Sequence, residues 1–134
     1  MKLTYTILYV ENVPNSVEFY KKAFGLKHRF THEDQDYAEM ETGPTTLAFC
    51  DKKLASALLN EPLPKDSSSF TAKTSQITFE PDDVSKAFKT AVSNGAAPVT
   101  PPEVKPWNFE VALLKDSDGH LIELAKKLTK SSSI

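Results

Sequence analysis

The chain of 134 residues has one cysteine, Cys50, so no disulfide forms within it and a small domain stapled by disulfides is excluded. Four glycines leave little material for a Gly-rich phosphate loop, and no Ser-His-Asp or Cys-His spacing stands out. No apolar run approaches the roughly 18–20 residues of a membrane span. Neither sign of charge dominates. Lys and Arg number 16 against 18 Asp and Glu, a formal net charge of −2, and no basic run precedes the tail. Neither nucleic acid nor a membrane is therefore expected as a partner. Met1-Lys2-Leu3-Thr4-Tyr5 enters strand-like sequence at once, without the apolar core and cleavage site of a signal peptide, so a cytoplasmic protein is expected.

What is present is an ordinary folded composition, 40% hydrophobic and 25% charged. Tyr5–Val10 is aromatic and β-branched and predicts a strand buried on both faces. Pro14 suits a helix first turn, Val17, Tyr20, Ala23 and Phe24 keep helical spacing, and Gly25 suits the helix end. Strands follow at about 26–32, 36–41 and 45–50, separated by Glu33-Asp34-Gln35 and Thr42-Gly43-Pro44. Residues 51–74 read as a connector, with one or two helical turns at Leu54–Leu59. The pattern then restarts. Gln76–Glu80 is a strand, Asp82-Asp83 caps a helix through Val92, and Asn94-Gly95 ends it. Ala97-Pro98-Val99 is a short strand, Pro101 to Pro106 a rigid loop, and Phe109–Lys115 and Leu121–Ala125 are strands joined by Asp116-Ser117-Asp118-Gly119-His120. The basic, Ser-rich end from Lys126 is expected to fray.

The two blocks repeat. Tyr5, Leu8, Val13 and Val17 correspond to Gln76, Phe79, Val84 and Phe88 at a constant offset of 71. The expectation is one α+β domain over 1–130, made of two βαβββ modules at about 3–52 and 74–128, with a disordered tail at 131–134.

Tyr5–Gly25 (YTILYVENVPNSVEFYKKAFG) resembles the opening of the vicinal oxygen chelate superfamily, which includes glyoxalase I, bleomycin-resistance proteins and extradiol dioxygenases. Val111–Leu124 (VALLKDSDGHLIEL) resembles its closing hairpin. The resemblance implies tandem βαβββ modules curled into a cup-shaped mixed sheet, a ligand site inside the hollow, and a homodimer. Its metal-binding members place ligands at positions that fall here on Tyr5, Ala48, Gln76 and Glu123. Glu123 matches a ligand and Gln76 supplies a neutral oxygen, whereas Tyr5 is a poor ligand and Ala48 has no donor. A catalytic metal needs about three protein donors. The implied function is therefore binding of a small organic molecule, neutral or cationic, without metal or other cofactor. The alternative is a metal-dependent lyase, isomerase or dioxygenase with an atypical site, in which a partner chain, water or His32 completes the shell around Gln76 and Glu123.

The ligand-binding residues proposed on this basis are Tyr5, Tyr9, Ala48, Gln76, Trp107 and Glu123. Tyr5, Ile7 and Tyr9 alternate on one strand face and suit an aromatic pocket wall, although each taken singly also suits ordinary core packing. Thr46, Ala48 and Cys50 continue that surface, with Cys50 read as a small buried hydrophobe. Glu123 is expected to face the hollow opposite Ile122 and Leu124, with Glu80 and Glu110 as further sources of negative charge. Trp107, held between Pro106 and Asn108, is a ligand wall, an interface anchor or a packed loop residue. His28 and His32 share one strand parity and suit a rim acid or base, while His120 sits in a turn where it is solvated or hydrogen-bonded.

Overall fold

In the computed structural model, which describes residues 1–63 and 75–129, strand β1 (Tyr5–Val10) ends where Asn12 turns the chain into helix α1 (Val13–Phe24). The Asn12 side chain accepts a hydrogen bond from the Asn15 amide at 2.9 Å, satisfying one of the helix's unpaired donors. Gly25 closes α1 in the left-handed region at φ 69°, and its amide returns to the Lys21 carbonyl at 3.0 Å. Strands β2 (Lys27–Thr31), β3 (Tyr37–Glu41) and β4 (Thr46–Asp51) follow, and then helix α2 (Lys52–Leu59). The sheet order is β1-β4-β3-β2, with β1 parallel to β4 and the other pairs antiparallel.

The second half repeats this path. Strand β5 (Ile77–Phe79) leads to helix α3 (Val84–Ser93), capped by the Asp83 carboxylate on the Lys86 amide at 3.0 Å. Strands β6 (Ala97–Val104), β7 (Phe109–Lys115) and β8 (Leu121–Lys127) complete a sheet ordered β5-β8-β7-β6, with β5 parallel to β8. The chain is α+β, as expected, with two four-stranded mixed sheets that are not closed into a barrel. It divides into two compact units, Met1–Asp66 and Ser67–Ile134.

Each sheet buries one face under its helix. In the first unit Val10, Met40 and Phe49 are fully buried with Val13 and Tyr20 of α1, and the Tyr20 and Phe49 rings lie 4.8 Å apart. In the second, Ala112, Leu114, Ile122 and Leu124 are buried with Val84 and Ala91 of α3. Each large side chain buried this way contributes about 2 kcal/mol relative to exposure.

Four expectations change. First, β1 is buried toward α1 but leaves Tyr5 and Ile7 exposed on its other face. Second, the segment expected to be a proline loop is strand. β6 runs to Val104 through Pro98, Pro101 and Pro102, which an edge strand tolerates because its outer N–H groups need no partner. Third, β8 takes in Lys126 and Lys127, which pair with Glu110 and Phe109 of β7, so they belong to the sheet and not to a fraying end. Fourth, α2 starts earlier than expected, at Lys52, because the Asp51 carboxylate accepts from the Lys53 amide at 2.7 Å. The 131–134 tail and the 64–74 part of the connector lie outside the described residues. Among the described residues no helix is long and apolar enough to cross a membrane.

Candidate functional site

The helix-free face of the first sheet is a small grid fixed by strand register. Tyr5 lies opposite Thr46. Ile7, Ala48, Glu39 and Phe30 form the next row, and Tyr9, Cys50 and Tyr37 the third. Pleat alternation puts all of them on one side, away from α1. Tyr5 is 46% exposed, Ile7 45% and Phe30 41%, whereas Ala48 is fully buried as the floor between Ile7 and Glu39.

A charged network crosses this face. β2 carries a register shift between His28 and Phe30, so Arg29 is an extra residue and joins Phe30 on the open side. The Arg29 guanidinium donates from Nε to Glu41 at 2.7 Å, and from Nη1 to Glu39 at 3.0 Å and to Thr46 Oγ1 at 3.1 Å. The Tyr37 hydroxyl donates to the second Glu39 oxygen at 2.8 Å. Glu39 is only 8% exposed, and these bonds satisfy both its oxygens. Burial, then the hydrogen bond to Glu39 and its charge, hold the Tyr37 phenol well above its usual range.

Helix α2 follows directly from the Cys50 end of β4, where the Cys50 thiol donates to the Asp51 carbonyl at 3.6 Å. Burial raises the pKa of that thiol, and the Asp36 and Asp51 carboxylates raise it further. Cys50 is thus a small buried side chain, as the sequence suggested, in surroundings that disfavour its thiolate.

The second sheet presents a shorter polar line. Thr78 lies opposite Glu123 across the parallel β5–β8 pair. The Thr78 hydroxyl donates to Glu123 Oε1 at 2.9 Å, and the Gln76 amide donates to Thr78 Oγ1 at 3.3 Å. Ile122 and Leu124 point the other way, into the core, as expected. The facing of β7 is now fixed. Leu113 lies opposite Glu123 on the open side, and Ala112 and Leu114 face α3. Glu110 also faces α3, where Ser85 Oγ donates to it at 3.5 Å, so it adds no charge to the open face.

Of the residues proposed from sequence, Tyr5, Tyr9 and Ala48 share the first open face, and Gln76 and Glu123 are joined through Thr78 on the second. Trp107 is 64% exposed at the tip of the β6–β7 hairpin. His28 and His32 do not share a face, because the Arg29 bulge breaks the parity between them. His28 bonds Thr31 Oγ1 at 2.7 Å, and His32 lies near Asp34 and Asp36 in the turn. His120 is buried, with its amide on the Asp116 carboxylate at 2.9 Å. Sequence reading missed Arg29, Tyr37, Glu39 and Glu41. The alternation Tyr37-Glu39-Glu41 was a usable signal, but a one-residue bulge leaves no mark in the sequence. Among the described residues no group of three or more His, Cys, Asp or Glu is arranged to hold a metal ion.

The family model described as Glyoxalase/Bleomycin resistance protein/Dioxygenase superfamily matches residues 2–124. The chain belongs to this superfamily. Its sequence is 29% identical over 130 residues to the uncharacterized protein YraH of Bacillus subtilis (strain 168), covering 96% of this chain and 100% of that one. Solved superfamily structures share the fold at lower identity. A family enzyme from Burkholderia phytofirmans PsJN superposes with TM-score 0.81 at 18% identity, over 96% of this chain and 100% of that one. A superfamily protein from Nocardioides superposes with TM-score 0.76 at 21% identity, over 98% of this chain and 86% of that one. Superfamily membership accounts for the repeated βαβββ path and leaves the chemistry to the side chains on the open faces.

Proposed function

We infer that this superfamily member binds a small organic molecule, neutral or cationic, on its open sheet faces and does so without a divalent metal. The supporting observation is the first open face. Tyr5, Ile7 and Phe30 stay accessible beside a hydrogen-bonded polar network, the mixture of apolar wall and few fixed polar groups that suits small-molecule recognition. Side chains serving only as core would be covered. Glu123, oriented by Thr78, offers a comparable polar anchor on the second sheet.

The donor set argues against a metal. The four positions that the resemblance gives to ligands hold a phenol, a methyl group, an amide and one carboxylate: Tyr5, Ala48, Gln76 and Glu123. The Gln76 amide and the Glu123 carboxylate are already linked through Thr78. Such a set does not fit Zn²⁺, Fe²⁺ or Ni²⁺, which need about three strong donors.

An NMR screen of ring-containing fragments against ¹⁵N-labelled protein, run with and without EDTA, tests this reading. The expected result is a set of fragments that shift the amides of Tyr5, Ile7, Phe30 and Tyr37 equally in both buffers. Absence of any such shift at millimolar fragment, or shifts abolished by EDTA, would overturn it.

A further inference from the structure

The polar line on the second sheet runs in one chemical direction. A carboxylate only accepts hydrogen bonds, so the single Thr78 hydroxyl proton is committed to Glu123 Oε1, 2.9 Å away. The Thr78 oxygen can then only accept, and Gln76 must turn its NH₂ toward it, as it does at 3.3 Å. Among the described residues, neither the Gln76 nor the Glu123 side chain forms a further hydrogen bond or ion pair. The line therefore offers Glu123 Oε2 and the Gln76 carbonyl oxygen as acceptors, with one Gln76 N–H as its remaining donor. Gln76 and Thr78 are exposed, and Glu123 is half-buried. Leu113 lies across from Glu123 on β7, and Leu121 precedes it by one alternation on β8. Both leucines are half-buried on the open side, so the carboxylate has an apolar surface beside it.

Net charge does not decide what this line holds. Strand alternation puts Lys115 and Lys127 on the same side as Glu123, and Glu103 is paired with Lys105, so the face has no surplus of negative charge. Neither Lys115 nor Lys127 forms an ion pair with Glu123. Hydrogen-bond direction is what discriminates. A ligand N–H or O–H placed against Glu123 Oε2 gains a charge-assisted bond, whereas a ligand atom with only lone pairs meets repulsion there. We propose that Glu123, held in place by Thr78, recognises an N–H or O–H donor on a small, largely apolar molecule whose body lies on Leu113 and Leu121. Thr78 is the positioning residue: its hydroxyl fixes one carboxylate oxygen and leaves the other for the ligand. This deepens the binding reading above and rests on it, and it gives Glu123 a role that needs no metal.

The test uses indole and benzofuran, two neutral bicyclic rings of one shape that differ in an N–H against a ring oxygen. Each is titrated into ¹⁵N-labelled protein at pH 7. The expected result is that indole binds about tenfold more tightly than benzofuran, the scale of one hydrogen bond to a charged acceptor. The shifts should centre on the amides of Thr78, Leu113 and Glu123. Thr78→Val should lower indole affinity severalfold and leave benzofuran unchanged, and Thr78→Ser, which keeps the hydroxyl, should retain the preference. A purely structural role for Thr78 would weaken both ligands together. If indole and benzofuran bind this face alike, donor recognition is wrong and small-molecule binding stands. If Thr78→Val keeps the preference for indole, Thr78 does not position Glu123 and the proposed relay is wrong. If indole shifts only Tyr5, Ile7 and Phe30, the location is wrong. If neither probe binds at millimolar concentration, both readings fall.

Discussion

Tyr37 donates its proton to a carboxylate that Arg29 already clamps, so ionising the phenol would place two negative charges within hydrogen-bonding distance. Burial is the larger cost, and together these raise the phenol above its ordinary value of 10.0. The consequence for stability has a definite sign. Below the ordinary value, folded and unfolded chains hold the same proton and the contribution is intact. Above it the unfolded phenol ionises first, and stability falls with rising pH until Tyr37 itself ionises. Urea melts between pH 9 and 11 should therefore show a decline in wild type that is shallower in Tyr37→Phe; equal slopes would contradict the account. At this scale the sequence was partly legible. Glu123, Ile122 and Leu124 point as strand alternation requires. Arg29 was not legible, because its direction depends on a bulge, and the bulge also undid the parity argument that paired His28 with His32.

Local signals fixed most elements where the backbone demanded a particular residue. Asn12, Gly25, Asp83 and Asn94 bound their helices as capping chemistry requires. Gly25 tests this directly. It holds φ 69°, and a Cβ there would meet no atom within 4 Å, so alanine would pay only for the left-handed backbone. Gly25→Ala should cost about 1 kcal/mol in denaturant unfolding, with the fold and open face unchanged. A loss below a few tenths of a kcal/mol would mean that the cap does not hold α1. Strand β6 was read wrongly for an equally physical reason. Proline signals a missing donor, and that excludes a central strand but not an edge, and sequence alone did not reveal which strand would lie at the edge. Its prolines also leave that edge poorly suited to pairing with a further strand.

At the scale of the whole molecule, the chain is a duplication whose halves share topology and have diverged on their open faces. One face is aromatic and charged around Arg29, and the other carries a short line of Gln76, Thr78 and Glu123. The duplication was legible because an offset of 71 preserves the apolar pattern and carries Asn12 onto Asp83, with the helix-ending glycines Gly25 and Gly95 at an offset of 70. The separation of the sheets into different chemistries was less so, since it arises from residues scattered over β2, β3 and β4 that only register brings together. Superfamily membership does not distinguish a binder from a metal enzyme, and that distinction carries the functional account. Elemental analysis of protein purified without chelators, after exposure to Zn²⁺, Ni²⁺, Mn²⁺ and Fe²⁺ and removal of the unbound excess, decides it most directly. The account predicts far less than one equivalent of any transition ion per chain. One tightly retained equivalent, lost on Glu123→Gln, would contradict it.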